Sequence, residues 1–349
     1  MVSYNLIKNM KIIFLNKIHK LIDYFVDFIF FLRDIFLFKF LKKNSPRSYK
    51  VMLRLFYLTG GFSNDLINFF VSKKTFVKKS NNGILSRYNS EELLSYKNEL
   101  NDCGYIILNN AIDLTEIDKL VNDFLKIDGF YLSDKNMNMK KEKLDIKYPA
   151  YVKFYYNSQD IINNQHVQKI LFDSSLINFA QLYLNSYPVI DNINAWWSFP
   201  SSSPDKNAAQ WWHFDLERPK WLKFFFFLTD CTLENGAHCF VKGSHKNNGI
   251  NWSLRKRGYE RLSDQDINNF YPKTDIVDII AKKGSLLIED TRGLHKGRHL
   301  IKDNRFLIQL QYSSSSFGTI IDNFQMPKLN NDLLKVKNEF DYTYSLFKQ

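Results

Sequence analysis

Residues 210–220, with the sequence QWWHFDLERPK, place a histidine and an aspartate two residues apart in an aromatic stretch. In an extended strand, residues i and i+2 project to the same face. His213 and Asp215 are therefore expected to aim at one point, while Phe214 faces away. An imidazole and a carboxylate that converge in this way supply two of the three ligands of a facial triad, which suits non-haem Fe(II). The alternative is a hydrogen-bonded pair in a sugar- or peptide-binding sandwich.

The third ligand has to come from another part of the chain. The sequence contains seven histidines, of which the other six are His19, His166, His238, His245, His295 and His299. His295 is the best candidate because it directly follows the strand-like GSLLIED and precedes a strand that begins at Arg305. A β-sandwich can fold such a position back over His213. The competing interpretation of His295 is a histidine in a surface loop.

Short strands have to position these residues. Beyond residue 187 the chain consists of apolar or alternating runs separated by Gly, Pro, Asn and Asp, which is typical of a sandwich or barrel. The runs are VIDNINAWWSF, QWWHFDL, WLKFFFFLTD, HCFVKGS, TDIVDIIA, GSLLIED and RFLIQLQYSSS. Helical patterns precede them without βαβ alternation. The sequence therefore predicts a mainly β, jelly-roll-like core with flanking helices.

The helices before the strands carry clear boundary signals. Asn89 is a candidate N-cap and Glu92 lies at the capping-box spacing, which predicts a helix through Leu100. Gly104 is expected to end this unit and to lead into a strand at residues 105–108. Two further helices are predicted in LTEIDKLVNDFLKI and FDSSLINFAQLYL.

Positive charge is concentrated at the N-terminus. Residues 1–80 contain 15 Lys or Arg and 4 acidic residues, a net charge of +11, whereas the whole chain carries +12. The rest of the chain is almost neutral, so a nucleic-acid partner has no compositional support.

The three cysteines form no CxxC pair, which argues for a reducing, cytoplasmic location and against a cysteine zinc site.

Residues 21–41 are apolar but contain five charged residues, which makes a membrane span unfavourable. Lys20, Asp23, Asp27 and Asp34 fall within about 60° on a helical wheel, which predicts an amphipathic helix. This helix either packs on its own domain or a second subunit, or lies on a membrane surface. Residues 1–45 are thus the candidate region for peripheral membrane contact or self-association.

We predict an N-terminal extension at 1–85, the main domain at 86–330 and a C-terminal tail at 331–349.

An ordered set of motifs resembles the phytanoyl-CoA dioxygenase family of Fe(II)- and 2-oxoglutarate-dependent oxygenases. The likeness covers residues 90–315. It consists of the H-x-D pair, an apolar strand ending in LTD, an ENG turn, a GSH turn, the segment DTRGLH and an arginine ten residues after its histidine. Several motifs in this order are more specific than any one of them.

The resemblance implies a double-stranded β-helix core and a set of site residues. His213, Asp215 and His295 would be the iron ligands. Arg305 would bind the distal carboxylate of 2-oxoglutarate, a role that suits its planar guanidinium. Lys153 would be a further cosubstrate contact. Since Asp215 is present where halogenating relatives carry a small residue, the resemblance favours hydroxylation.

Tryptophans are candidates for the substrate-facing walls of the pocket. Trp211 shares the predicted face of His213. Alternation places one residue of the pair Trp196 and Trp197 inside, and Trp197 is taken as the candidate.

The activity implied is O2-dependent hydroxylation of a small-molecule or lipid-like substrate, with release of succinate and CO2. The alternative is a non-catalytic jelly-roll binding or scaffold protein, associated with a membrane through its first residues. The sequence does not identify the substrate, because relatives share the metal ligands and differ in the surrounding loops.

Overall fold

The computed structural model describes residues 2–74, 82–132, 141–147, 149 and 151–349, with side chains from residue 22 onward. The helices are α1 (Val2–Leu41), α2 (Pro46–Thr59), α3 (Phe62–Val71), α4 (Ser90–Cys103), α5 (Leu114–Phe124), α6 (Ser158–Asn163), α7 (Gln165–Leu171), α8 (Ser174–Leu184), α9 (Trp252–Arg255), α10 (Asp264–Asn268) and α11 (Asn331–Glu339). The strands are β1 (Tyr105–Leu108), β2 (Phe130–Tyr131), β3 (Lys153–Tyr155), β4 (Val189–Ser198), β5 (Trp221–Phe227), β6 (His238–Val241), β7 (Ile276–Ile279), β8 (Leu286–Glu289), β9 (His295–Gly297), β10 (Arg305–Ser313), β11 (Phe324–Gln325) and β12 (Phe347–Lys348).

Two antiparallel sheets form the centre of the protein. The larger has seven strands in the order β1-β8-β5-β10-β4-β3-β2, and the smaller has three in the order β7-β6-β9. Buried side chains of both sheets, such as Phe225, Phe240 and Leu287, form one apolar cluster between them. A second and larger cluster lies on the other face of the seven-stranded sheet, where α5, α7 and α8 contribute Phe124, Leu171 and other apolar residues.

The sheet-rich core with flanking helices agrees with the prediction from sequence. Strand β5 is buried along its whole length, as its uninterrupted apolar run predicts. Helices nevertheless contain more of the described residues than strands, and α1 alone has 40. Among the described residues, no helix is long and apolar enough to cross a membrane.

Helix α4 begins and ends where its sequence signals predict. Asn89 caps the helix, and the Glu92 side chain accepts a hydrogen bond from the Asn89 backbone to complete the capping box. Gly104 ends the helix at φ 94°, a left-handed conformation that favours glycine. A Cβ at Gly104 would lie 2.6 Å from atoms of Phe240 and His245. The close approach of strand β6 to this turn therefore also requires glycine.

The predicted strand QWWHFDL is not a regular strand. Within it, Trp212 and His213 form isolated bridges to Leu262 and His295. The alternation of a strand is kept all the same, because the backbone N–H groups of His213 and Asp215 both donate to one neighbouring segment, residues 291–295.

Helix α1 turns two of its three acidic residues, Asp27 and Asp34, toward the protein, whereas Asp23 is exposed. Asp34 is 5% exposed and accepts hydrogen bonds from the Ser45 backbone and the Ser48 hydroxyl, at 3.0 and 2.6 Å. Asp27 pairs with Arg47 and Arg54 of α2 at 3.0 and 2.8 Å. The side of the helix that carries Asp27 and Asp34 is therefore its buried side.

The N-terminal helices pack on the main domain, one of the arrangements expected from sequence. Phe317 contacts Phe31 and Phe38 of α1, and Phe56 of α2 lies 5.8 Å from the ring of Phe214. The C-terminal residues are also bound in place, since Tyr344 stacks on the ring of Phe172 at 4.5 Å. The domain boundaries given above stay predictions.

We predict that Phe56→Ala lowers the free energy of unfolding by about 3 kcal/mol, because it removes a buried aromatic ring from the interface between α2 and the main domain. Leu58→Ala is the matched control in the same helix, since Leu58 is 67% exposed, and should change stability by under about 0.5 kcal/mol. Urea denaturation followed by circular dichroism measures both. Equal stability of the two variants would contradict the packing described.

Candidate metal centre

The backbones of His213 and His295 hold two distant segments together. Each residue donates its N–H to the carbonyl of the other, at 3.0 and 2.8 Å. The rings lie 4.2 Å apart between centroids. His295 also begins strand β9, where it pairs with Phe240 of β6. One ligand candidate is thus fixed on both sides by ladder hydrogen bonds.

His213, Asp215 and His295 converge on one point. Each offers a ligand atom, and these atoms all lie within 4.8 Å of one another. The Nε2 atoms of His213 and His295 lie 4.0 and 3.5 Å from the Asp215 carboxylate oxygens. In the part of the chain that is described, no other group of three His, Cys, Asp or Glu residues is arranged for a metal ion.

Both imidazoles are oriented through their second nitrogen. Nδ1 of His213 lies 2.8 Å from the Trp211 carbonyl, and Nδ1 of His295 lies 2.9 Å from that of Gly293. A carbonyl accepts only from a protonated nitrogen, so Nδ1 carries the hydrogen and Nε2 keeps its lone pair. Burial lowers the pKa of both histidines, which keeps the imidazoles neutral at pH 7. The donor set therefore fits a divalent metal.

Lys223 neutralises the charge of Asp215 inside the protein. Its Nζ donates to Asp215 Oδ2 at 2.6 Å, and the two side chains are 8% and 9% exposed. Burial by itself would raise the pKa of Asp215, but the charge and hydrogen bond of Lys223, together with His295 and His213, outweigh it and hold the pKa below its ordinary value. Tyr259 donates to the other oxygen, Oδ1, at 3.4 Å. The carboxylate is thus ionised and held in position before any metal binds.

The residues of the GSH turn do not contact the point on which the three ligand candidates converge. They hold in place the segment that carries His295. In the GSH turn, the Ser244 hydroxyl donates to the Val241 carbonyl at 2.6 Å and accepts the Leu294 N–H at 2.8 Å. His245, on its Nε2 side, lies 3.1 Å from the Asn101 carbonyl and is no part of the triad. These contacts fix the backbone directly before His295.

The segment DTRGLH is anchored through its first three residues. Asp290 pairs with Arg292 at 2.6 Å and accepts a hydrogen bond from Tyr183, also at 2.6 Å. Thr291 accepts the indole N–H of Trp221 through its hydroxyl and the Asp215 N–H through its carbonyl. Arg292 is therefore the ion-pair partner of Asp290.

Lys153, Ser198 and Arg305 form one row across three neighbouring strands. Ser198 of β4 is paired with Lys153 of β3 on one side and with Arg305 of β10 on the other. All three are buried, and neither the Ser198 hydroxyl nor Arg305 Nε has a hydrogen-bond partner among the described residues. Burial and the charge of Arg305 lower the pKa of Lys153 to about 7. The row is thus a buried cationic site with hydrogen-bonding atoms that lack a partner. An anionic ligand bound there would supply the missing partners.

A cavity of about 190 Å³ connects the metal point with this row. Its walls include the three ligand candidates, Lys153, Arg305 and Lys223. The remaining lining residues are Tyr155, Asn194, Trp196, Ala208, Ala209, Phe225, His238, Gly297, Leu307 and Gln309. Five of the seven residues proposed from sequence therefore share one cavity.

The two tryptophans proposed as walls do not line this cavity. Trp197 lies on the opposite face of β4, where its ring stacks on Phe306 and its N–H donates to Tyr156. The neighbouring Trp196 takes the inner position, because the pairing of Ser198 with Arg305 sets the parity of the strand. Trp211 contributes its backbone carbonyl to His213, and its ring lies below the ammonium group of Lys206.

Sequence reasoning missed five residues of the cavity that carry polar side chains, namely Tyr155, Asn194, Lys223, His238 and Gln309. Lys223 is the one charged residue in the apolar run WLKFFFF, and alternation places it on the face of Phe225. A lysine in a strand buried on both faces was a detectable signal. Asn194 and Gln309 are directly paired across β4 and β10, which only the register reveals.

Two histidines and one carboxylate that converge between two sheets, beside a buried cationic row, are typical of the class of non-haem iron oxygenases. Residues 100–299 match the sequence profile of the phytanoyl-CoA dioxygenase family, and the chain belongs to this family. The predicted family is confirmed, and with it the cofactors Fe(II) and 2-oxoglutarate. A comparison with curated proteins finds no match.

Three solved structures show partial similarity to the chain. HygX from Streptomyces hygroscopicus, solved with nickel and 2-oxoglutarate bound, is 16% identical over 70% of this chain and 94% of its own, with a TM-score of 0.45. The non-haem α-ketoglutarate-dependent epimerase SnoN from nogalamycin biosynthesis is 12% identical over 64% and 83%, with a TM-score of 0.44. EctD from S. alaskensis with bound Fe is 15% identical over 69% and 82%, with a TM-score of 0.45.

We predict that His213→Ala and His295→Ala each weaken metal binding at least about 100-fold, because each removes one Nε2 donor from the triad. Anaerobic calorimetric titration with Fe(II) or Co(II) measures the affinity. His166→Ala is the control, since this histidine pairs with Glu116 outside the cavity. Unchanged affinity in both triad variants would contradict the assignment of the site.

Proposed function

We propose that the protein is an Fe(II)- and 2-oxoglutarate-dependent dioxygenase that hydroxylates a small-molecule or lipid-like substrate and releases succinate and CO2. The observation that carries the proposal is the common cavity of the His213, Asp215 and His295 triad and the cationic row. The double-stranded β-helix core is part of this proposal and is supported by the two facing sheets. The cytoplasmic location also stays a prediction.

The roles of the side chains follow from their positions. His213, Asp215 and His295 would hold the iron on one face, and Lys223 would hold one oxygen of Asp215. The bound iron would supply O2 activation coupled to oxidative decarboxylation of 2-oxoglutarate. Arg305 would bind the distal carboxylate bidentately, with Lys153 adding a second positive charge.

The walls of the cavity would exclude water and orient the substrate. Trp196, Phe225 and Leu307 supply apolar surface on the inner face of the large sheet. Asn194 and Gln309 add polar groups beside it, and Gln309 Nε2 has no hydrogen-bond partner within the described residues. An amide donor of this kind would help to orient a polar group of the substrate.

We predict that anaerobic addition of Fe(II) and 2-oxoglutarate produces a visible charge-transfer band, and that exposure to air then releases succinate. Asp215→Ala should abolish both signals, whereas His166→Ala should keep them. Arg305→Lys keeps the charge but loses the planar fork, so the KM for 2-oxoglutarate should rise about tenfold with iron binding unchanged. A wild-type protein with neither band nor succinate release, screened with metabolite pools as substrates, would overturn the proposal.

We predict that 2-oxoglutarate binding weakens as the pH rises above 7. The groups that face Lys153 are Arg305 and Arg261, which lower its pKa, Asp205, which raises it, and the Tyr155 hydroxyl at 3.3 Å. A bound dianion would raise the pKa of Lys153. Below pH 7 the lysine is already protonated, so affinity is highest there. Above pH 7 binding has to take up a proton, so affinity should fall by up to about tenfold per pH unit.

Calorimetry of the iron-loaded enzyme under anaerobic conditions, in buffers of different ionisation enthalpy, measures this proton uptake. Lys153→Met should bind 2-oxoglutarate more weakly and without pH dependence. Lys169→Met, a change in a surface lysine paired with Glu116, should behave as wild type. If Lys153→Met kept the pH dependence of the wild type, another group would be responsible.

A further inference from the structure

The side of α1 that faces away from the protein is apolar. Phe25, Ile29, Leu32, Phe36 and Phe40 are between 50% and 71% exposed. At 100° per residue they fall within about 80° of one another, on the side opposite the buried Phe31 and Phe38. In a water-exposed helix this side is normally polar. Here Asp27 and Asp34, two of the three acidic residues of the helix, already contact α2.

Helix α3 extends this exposed surface. Phe62, Leu66, Phe69 and Phe70 are between 43% and 63% exposed. A groove of about 670 Å³ separates the two helices, and its walls are almost entirely apolar. Together, the exposed residues form an apolar face, which consists of Phe25, Ile29, Leu32, Phe36, Phe40, Phe62, Leu66, Phe69 and Phe70. A contiguous exposed surface of this kind marks an interaction site.

Lysines border the apolar face at the C-terminal ends of α1 and α3. Lys39 lines the groove, Lys42 and Lys43 follow α1, and Lys73 and Lys74 follow α3. None of these five forms an ion pair with an acidic residue in the described part of the chain, and Lys73 lies close enough to lower the pKa of Lys42, after the effect of burial. Residues 2–21 add Lys8, Lys11, Lys17 and Lys20 to the sequence and no acidic residue.

We propose that the apolar face is a docking surface for an anionic lipid bilayer. Helices α1 and α3 would lie in the plane of the interface, with the aromatic rings among the acyl chains and the lysines at the phosphate groups. Charge distinguishes this partner from a second copy of the chain. Two copies joined through this face would bring two sets of lysines together, and their repulsion opposes self-association.

The test is flotation of the full chain with vesicles of phosphatidylcholine containing about 30 mol% phosphatidylserine. We expect the wild type to float, and the bound fraction to fall at high salt. In Leu32→Asn/Phe36→Asn the partition coefficient should drop at least about tenfold, because two exposed apolar side chains are lost. In Lys39→Gln/Lys43→Gln it should drop about tenfold at low salt only.

Leu233→Asn/Ile280→Asn is the matched control, since both residues are more than half exposed and lie outside helices α1 to α3. This variant should float as the wild type does. If the wild type does not float, or if Leu32→Asn/Phe36→Asn floats equally well, the proposal is wrong. Sedimentation without vesicles tests self-association, the alternative role of the apolar face. If the wild type forms a dimer and does not float, and if Leu32→Asn/Phe36→Asn dissociates this dimer, the apolar face binds a second copy of the chain.

Discussion

The pair of backbone hydrogen bonds between His213 and His295 is the constraint on which the site depends. These residues are far apart in sequence, and neither lies in the large sheet. Their mutual N–H to carbonyl contacts close the loop that separates them and set both rings on the same side. Asp215 follows two residues later and is bound to the same segment through Thr291. The side chains around the triad serve mainly to keep this junction in one geometry.

The second constraint on the cavity is the balance between its buried positive and negative charges. A buried carboxylate is unfavourable unless a positive charge or hydrogen bonds stabilise it, and Lys223 does so for Asp215. The row of Lys153, Ser198 and Arg305 forms no ion pair with a carboxylate among the described residues, although Asp205 lies close enough to act on Lys153. Metal ligands at one end and unbalanced positive charge at the other give the cavity a polarity. An anionic metal chelator matches this polarity better than a neutral molecule does.

Much of this site can be predicted from sequence, and the limits have physical causes. The H-x-D spacing and the position of His295 after a strand identify the triad, since both depend on local periodicity. Trp197 was predicted to line the cavity, but Trp196 does so. This difference shows the limit of periodicity, because alternation gives two faces of a strand but does not say which one is inside. That choice is made by the register between β4 and β10, a contact between residues far apart in the chain.

Helix α1 shows the same limit. Its polar stripe is readable in the sequence, and an amphipathic helix is usually expected to bury its apolar side. Here Asp27 pairs with two arginines of α2, and Asp34 accepts a hydrogen bond from Ser48 of the same helix. This part of the polar stripe therefore contacts the protein. Nothing in the periodicity of α1 contains this information, because it depends on the sequence of its neighbour.

The contact between Phe56 and Phe214 has a practical consequence for the borders of this protein. The family match begins at residue 100, yet the ring behind the His213 and Asp215 pair belongs to a helix that ends at residue 59. Excising the catalytic module at the borders shared with relatives would leave Phe214 without part of its packing. For this chain, the smallest piece that resembles its family and the smallest piece that folds are therefore expected to differ.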